Sequence, residues 1–375
     1  MKNFRQLPRL AKTMNQPTQN ALPFISVIVP TRNEAFRVEP CIKSLKAQTY
    51  PNLEILIIDD STDMTPHIIS DIIQNDTRFR IIKQEPLPSG WIGKPHALHQ
   101  GSKQAKGDWL LFIDADTSHD PQLITQAINY ALKNSIDLLS LVPHHRCESF
   151  WEKVVQPIPL GLIPAIAPLA KVNKPNSKVV VAFGPFMLIR RTVYDKVGGY
   201  ETIKGRIADD AEMAKLIKQS EYRVGLANAQ ELMSIRMYQK FADIWEGWSK
   251  NIFLGLVQKR GIARKGSRLL VAIIGALGIF WLMVLPFLST LITLVVSVLF
   301  SSAWQGLFFF SLFLFLLSIV IQGCIQYYYR IGDPKFAFLS FLGGLVTIGI
   351  FLNSAIKSLS GSGVAWKGRI YAENK

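Results

Sequence analysis

Asp114-Ala115-Asp116 stands at the end of the apolar run Trp109-Leu110-Leu111-Phe112-Ile113. A run of that length reads as a buried strand, and it would deliver two carboxylates spaced i and i+2 to the strand's carboxyl end, where open α/β sheets bind ligands. Two hard oxygen donors suit a divalent cation, Mg²⁺ or Mn²⁺, that also grips nucleotide phosphates, because such ions take one or two protein carboxylates plus substrate oxygens. Taken alone, the triplet also reads as a solvated turn. Two more acidic clusters share the same unit. Asp59-Asp60-Ser61-Thr62-Asp63 follows the apolar run Leu53–Ile58 and offers acceptors to a base or ribose; it reads equally as the N-cap of a helix starting near Met64. Asp209-Asp210 opens a helix with apolar positions at Met213, Leu216 and Ile217. Acidic residues are favoured in a first turn by the helix dipole, and a carboxylate there is also a candidate general base for an attacking hydroxyl. Trp91-Ile92-Gly93-Lys94-Pro95-His96-Ala97 places a glycine and a cation before a helix, an arrangement that favours an anionic phosphate. The six histidines show no metal spacing, and His144-His145 reads as an exposed loop pair or as a substrate contact.

These groups need a scaffold that gathers them. Between about Pro23 and Leu232, strand-like and helix-like segments alternate, as in α/β layer structures. Strands are expected at Phe24–Val29, Leu53–Ile58, Arg80–Lys83, Trp109–Ile113, Asp137–Val142, Val179–Phe183 with Phe186–Ile189, and Tyr222–Ala227. Helices are expected at Glu34–Gln48, Lys94–Lys106 and Pro121–Lys133. Ser149–Lys171, with Pro157, Pro159, Pro164 and Pro168, does not form one clean helix; it reads as an interfacial or acceptor-lining element, or as a core helix pair.

The chain of 375 residues is 49% hydrophobic, with a mean hydropathy of +0.20 and a formal charge of +15. The apolar weight is concentrated: Leu269 to Tyr329 holds 61 residues without one Lys, Arg, Asp or Glu. Such a stretch, with Phe336–Phe351 beyond it, reads as transmembrane helices. Splitting Leu269–Phe300 at Pro286 gives four spans; one long span gives three, and only an even number returns the tail to the catalytic face. Met1–Asn20 is polar and basic with no apolar segment, which argues against a signal peptide or N-terminal anchor. Gln258–Arg268 carries five cations and no acid, so this loop is expected in the cytoplasm, against anionic membrane lipids. Met237–Gln258, with Trp245 and Trp248, reads as amphipathic helices at the membrane surface. No stacking or groove-reading module accompanies the basic charge, which excludes a nucleic-acid partner. Cys41, Cys147 and Cys324 are scattered, as in a reducing compartment. The expected domains are a flexible basic tail (1–22), a catalytic α/β domain (23–235), interfacial helices with the basic loop (236–268), three or four transmembrane helices (269–353) and a C-terminal tail (354–375).

In this order the motifs resemble family 2 glycosyltransferases. Pro30-Thr31-Arg32-Asn33-Glu34 is similar to their P-x-x-N-E, Asp59–Asp63 to D-D-x-S-T-D, Trp91–Ala97 to G-K-x-x-A, Asp114–Asp116 to D-x-D, and Gly184–Arg191 with Gly198-Gly199-Tyr200 to the acceptor-side strand and turn. Asp209-Asp210 stands where they carry E-D. The resemblance spans about residues 24 to 256. It implies a GT-A fold, a Rossmann-like nucleotide-diphospho-sugar transferase domain, using a UDP- or GDP-linked sugar donor, a divalent metal and an inverting single displacement. It further implies that Pro30, Glu34, Asp59, Asp60 and Lys94 line the donor site, that Asp116 holds metal and diphosphate with Asp114 beside the ribose, and that Asp210 is the base with Asp209 its neighbour.

Two departures stand out: the glycine usual between the Asp pair and Ser-Thr-Asp is missing, and no Q-x-x-R-W follows the base, which argues against a processive polysaccharide synthase. Arg236-Met237-Tyr238-Gln239, Trp245–Lys250 and Val364–Tyr371 resemble the membrane-bound transferases that glycosylate carotenoids and the related hopene-associated ones. The implied reaction moves one sugar to a hydroxyl or carboxyl of a hydrophobic acceptor, a carotenoid first, with a hopanoid or glycerolipid as the alternative. Outside this class, a nucleotidyltransferase or a non-catalytic nucleotide-binding membrane scaffold would fit the same sheet.

Overall fold

Both faces of the central sheet are covered, which is why its strands read as continuous apolar runs rather than alternating ones. The protein is described here from a computed structural model, which describes residues 2–10, 22–174, 177–260, 265–300, 304–360, 364–366 and 369–371. In chain order the strands are β1 (Ile25–Thr31), β2 (Leu53–Asp59), β3 (Phe79–Lys83), β4 (Trp109–Ile113), β5 (Thr117–His119), β6 (Leu138–Val142), β7 (His144–His145), β8 (Phe186–Arg190), β9 (Val224–Asn228) and β10 (Met233–Ile235). Seven of them form a mixed sheet of order β3-β2-β1-β4-β8-β6-β9, antiparallel only where β8 meets β4 and β6. Three more form a small sheet of order β5-β10-β7, and two further strands, β11 (Val364–Trp366) and β12 (Arg369–Tyr371), pair antiparallel. Val27, Ile55 and Leu111 face one core, while Ile28, Leu56 and Leu110 face the other. Helices Val38–Lys46 and Leu123–Lys133 cover the first face; Gly93–Gln104 and Asp209–Gln219 cover the second. Thr31 pairs opposite Asp59, so the polar loops after β1 and β2 start side by side at the carboxyl edge.

Several expectations change. Val179–Phe183 is no strand: Phe183 exchanges hydrogen bonds with the Ser140 hydroxyl, and the Val179 carbonyl accepts from Lys218. These side-chain partners satisfy the backbone without a ladder. At the N-terminus, residues 4 to 10 dock rather than trail: Phe4, Leu7 and Leu10 are buried, and the chain exchanges backbone hydrogen bonds with Asn228. Residues 11–21 of the expected tail lie outside the described residues. Ser149–Lys171 folds as helices Phe150–Val155 and Pro157–Ile166 and a 3₁₀ turn Leu169–Lys171. One helix, Phe241–Arg260, fills the expected interfacial segment. Its Trp248 is buried against Tyr238, with ring centroids 6.0 Å apart, rather than turned to the surface. Ile244 and Trp248 of that helix are buried in the protein. Side chains of the cationic stretch and of residues 361–375, and residues 261–264 entirely, are outside the described residues.

Among the described residues, three helices are long and apolar enough to cross a membrane: Leu269–Leu299, Gln305–Tyr329 and Pro334–Ser360, the last beginning as a 3₁₀ turn. Pro286 does not divide the first of them. A proline removes one helical N–H and crowds the preceding turn, and here a π-turn, Phe280–Val284, opens the spiral just before it. Apolar side chains such as Ile292, Val298, Phe309 and Phe313 face outward, as a lipid solvent requires. The helix Ser340–Ser360 joins this part to the α/β part. Phe351 packs over Gly275, Met283 over Gly344, and Ser354 and Asn353 bond Ser249 of the helix Phe241–Arg260. At Gly343 the backbone approaches so closely that an added Cβ would collide with the Val154 carbonyl oxygen. Gly343→Val should therefore destabilise the chain by about 2 kcal/mol, the usual range for overpacking. Thermal unfolding in detergent measures this, and a midpoint equal to wild type would refute the close contact.

Candidate active site

The turns after β1 and β2 lock together through side chains that the sequence offers as acceptors. Asn33, with φ at +51°, donates its N–H to the Ser61 hydroxyl at 2.9 Å and accepts from the Thr62 N–H at 2.9 Å. Glu34 N donates to the Thr65 hydroxyl at 2.8 Å. Asp63 accepts from the Thr65 N–H at 3.0 Å and hydroxyl at 2.5 Å, tying the loop to the start of the helix Thr65–Ile73, whose N-cap is Met64. Burial opposes its charge, but these bonds and the Ala35 N–H hold its pKa below the ordinary value. Asp59 and Asp60 separate clearly. Asp59 is buried and accepts from the hydroxyls of Thr31 at 2.6 Å and Ser61 at 2.7 Å. Asp60 is partly exposed and pairs with Arg32, a residue that its position in the sequence does not mark for this role. Pro30 lies inside β1 opposite Ile58, and Glu34 pairs with Arg37 at 2.9 Å.

The strand order brings β4, the helix Gly93–Gln104 and the helix Asp209–Gln219 to one point. Lys94 Nζ lies 2.7 Å from Asp114 Oδ1 and 4.0 Å from Asp209 Oδ2. Asp210 lies alongside: its Oδ2 accepts from the Gly184 N–H at 2.9 Å and its Oδ1 from the Ala211 N–H at 2.7 Å. Gly184 leaves room for this. A Cβ there would lie 3.3 Å from Lys94 Nζ and 3.4 Å from Asp210 Oδ2. Burial pushes the Asp209 carboxyl up to about 6, Asp210 and Asp114 add to the shift, and Lys94 opposes it. Asp210 is also raised by burial, against Lys94 and the two N–H donors. Burial works against the charge of Lys94, but Asp114 and Asp209 outweigh it and raise its pKa. Lys94 is therefore a permanent cation among three carboxylates.

Asp116 sits one turn away, on the bend between β4 and β5. Its carbonyl accepts from the Arg236 N–H at 3.0 Å, which fixes the bend to β10. Arg236 in turn grips the fully buried Glu152 with Nε and Nη2, each at 3.0 Å, and Glu152 completes a capping box with Ser149. This clamp runs from the Asp-Ala-Asp turn to the helix Phe150–Val155. Its members were not among the expected site residues; Ser149-x-x-Glu152 is a capping signature, but nothing in the sequence points to Arg236 as its partner. Arg37 donates to the Met237 carbonyl, and its charge is coupled to Glu34 and Asp116. His144-His145, expected as an exposed loop pair, instead forms β7, with His145 buried; burial lowers its pKa to about 4.

Among the described residues, no three Asp, Glu, His or Cys side chains gather as a metal cluster. With Lys94 on Asp114, the donor set for a hard cation is Asp116 supplemented by substrate oxygens, and this set fits Mg²⁺ or Mn²⁺. The arrangement can hold a phosphorylated ligand near Lys94 and Asp116 and offer it an oriented carboxylate at Asp210.

Residues 26–198 match the sequence profile of the family described as "Glycosyl transferase family 2". A 4,4'-diaponeurosporenoate glycosyltransferase of Staphylococcus haemolyticus is 27% identical over 234 residues, and one of Staphylococcus aureus is 26% identical over the same length. Each match covers 62% of this chain and 61% of the relative, so the chain spans about three fifths of the length of the curated relatives it matches. A mannosyltransferase of Pyrobaculum calidifontis, solved in complex with GDP-Man and Mn2+, shares the fold with a TM-score of 0.52 at 18% identity, covering 95% of this chain and 92% of that one. With the seven-stranded sheet and its acidic carboxyl edge, these likenesses show a GT-A-like fold whose residues 26–198 carry the profile of glycosyl transferase family 2.

Proposed function

We propose that the chain is an inverting glycosyltransferase that moves one sugar from a nucleotide-sugar donor to a hydroxyl or carboxyl of a membrane-dissolved acceptor of carotenoid type. The observation that carries this reading is the Asp210 carboxylate, oriented by the Gly184 N–H at 2.9 Å beside Lys94 and Asp114. The names of the staphylococcal relatives support the acceptor class, and the GDP-Man and Mn2+ held by the Pyrobaculum mannosyltransferase in its complex support a nucleotide-sugar donor with a divalent ion.

In this reading the nucleoside lies over the locked turns, against Asp60 and the rim of β1 and β2. The diphosphate reaches Lys94 and the first turn of the helix Gly93–Gln104, where no side chain caps the amides. A divalent ion held by Asp116 and the diphosphate would offset the charge that develops on the leaving group. Asp210 takes the proton from the acceptor oxygen as that oxygen bonds to the sugar's anomeric carbon and the bond to the diphosphate breaks. Attack from the face opposite the leaving group inverts the anomeric configuration. Asp209, buried and sharing Lys94, positions its neighbour. The acceptor side is supplied by the helices from Phe150 to Ile166, whose core is continuous with Ile350 of the last apolar helix. The cationic stretch 259–268 and the positive-inside tendency favour a cytoplasmic catalytic part.

Asp210→Asn should lower kcat by about a thousandfold, within the range for loss of a general base, with little change in donor KM. Full turnover in that variant, assayed with a hydroxylated carotenoid in membranes, would overturn the assignment. The pH dependence has a definite sign. A base must be ionised, and burial raises its pKa, so activity should fall on acidification at a pH above the ordinary carboxylate range. Because Lys94 opposes that shift, Lys94→Met should move this acidic limb to higher pH. A limb at unchanged pH would mean that Lys94 does not act on the base. Removing divalent ions with a chelator should abolish transfer, and Mn²⁺ or Mg²⁺ should restore it.

A further inference from the structure

A cavity of about 670 Å³ lies away from the carboxylates, where the last turn of the helix Gln305–Tyr329 meets the docked N-terminus. None of the residues assigned to the donor or base lines it. Three arginines do: Arg5, Arg9 and Arg330. Arg5 lies over the ring of Tyr328 at 4.4 Å, and Arg330 pairs with the half-exposed Glu231 at 3.6 Å. Among the described residues Glu231 is the single acid in the lining, so the arginines leave a charge of +2 around the cavity. His144 lines it too; burial, then Arg330 and Arg146, lower its pKa, so at neutral pH it contributes a hydrogen bond rather than charge.

The cavity's depth is set by its neighbours. Tyr327 and Tyr328 end a 25-residue apolar helix, and Tyr327 is 70% exposed. Tyrosines at such a helix end lie at the headgroup level of a bilayer. The helix stops with Arg330 in the left-handed conformation, φ at +49°, a position that favours glycine or asparagine. An arginine stands there although the position favours a residue without its Cβ crowding. Phe4 packs edge-on against Tyr329 at 4.9 Å, and Gln230 donates to the Tyr329 carbonyl, so the walls are fixed to both the helix end and β9.

We propose that this cavity binds the phosphate of an anionic membrane lipid headgroup, with Arg5, Arg9 and Arg330 as its ligands and Tyr327 and Tyr328 against the glycerol and upper acyl region. Guanidinium groups match phosphate geometry in pairs, and basic pockets at this depth retain anionic headgroups. The described lining residues do not include those of the cationic stretch 259–268. A bound lipid here would tie the N-terminus, β9 and the second apolar helix together at the membrane surface.

The test is titration of short-chain phosphatidylglycerol into the full chain in neutral detergent, read from the unfolding midpoint. Short-chain phosphatidylcholine and inorganic phosphate, at matched concentrations, are the comparisons. Phosphatidylglycerol should raise the midpoint saturably while the other two leave it in place. Arg5→Gln with Arg9→Gln should weaken the apparent affinity about twenty-five-fold, at roughly fivefold per cation. Glu231→Gln, which removes the opposing acid without disturbing the core, should strengthen it by about fivefold, and this variant decides the matter if the double variant does not fold. Neutralising Lys259, Arg260, Lys265 and Arg268 should leave the midpoint shift intact. An equal shift with inorganic phosphate, or unchanged affinity in Glu231→Gln, would overturn the proposal. Since the readout is binding, its failure leaves the sugar-transfer reading untouched.

Discussion

Lys94 is shared. Its ammonium stands 2.7 Å from Asp114 and 4.0 Å from Asp209, so those two carboxylates lie within about 7 Å of each other. At an effective dielectric of about 20, like charges at that distance repel by roughly 2 kcal/mol, and Asp210 adds to the same field. Without a cation between them, the strand end and the helix start would not tolerate one another as ionised groups. The rest of the α/β part follows from this constraint. β4 must be central so that Asp114 emerges mid-edge, the helix Gly93–Gln104 must begin beside it, and Gly184 keeps the space beside both charges open, since a Cβ there would stand 3.3 Å from Lys94 Nζ. A permanent cation at Asp114 also leaves Asp116 as the carboxylate suited to a metal ion.

A second ion pair couples this centre to the membrane side. Glu152 is wholly buried and compensated by the bidentate Arg236 and by the N–H groups of Glu148 and Ser149. Removing one partner of such a pair leaves an uncompensated buried charge, which is far more costly than the pair's net contribution. Arg236 also donates its N–H to the Asp116 carbonyl, so the Asp-Ala-Asp turn and the helix Phe150–Val155 are held as one unit. For the transfer proposed above, in which a water-soluble donor would meet an apolar acceptor, this rigidity matters, because reacting atoms must meet within a fraction of an ångström.

The apolar helices solve a different problem. Gln305–Tyr329 and the second half of Leu269–Leu299 expose apolar side chains almost all round, whereas Ser340–Ser360 buries small residues, Gly343, Gly344, Thr347 and Ser354, against protein. Small side chains let helix backbones approach closely where hydrophobic burial gives no driving force. Ser340–Ser360 therefore works as a mortise between bilayer and sheet.

The chain's order of apolar runs and polar strand ends was enough to read an α/β sheet, its acidic edge and a long membrane-compatible segment, because burial on both faces imposes continuous hydrophobicity and lipid excludes charge. Sequence order also decides which residue types stand at the carboxyl edge: Asp59, Asp60, Lys94, Asp114, Asp116, Asp209 and Asp210. What it left open depended on contacts between distant segments. Asp59 and Asp60 differ only because Thr31 and Ser61 bury one and Arg32 holds the other. Val179–Phe183 looks like a strand, but Ser140 and Lys218 satisfy its backbone instead. Pro286 looks like a break until a π-turn absorbs it. Trp248 looks interfacial until Tyr238 covers it. Each of these outcomes rests on a partner elsewhere in the chain or on a local adjustment of helix geometry, and neither periodicity nor composition encodes such a partner. The sequence by itself determined the chemistry available at the sheet's edge; tertiary structure decided which carboxylate meets Lys94, because only folding sets those distances.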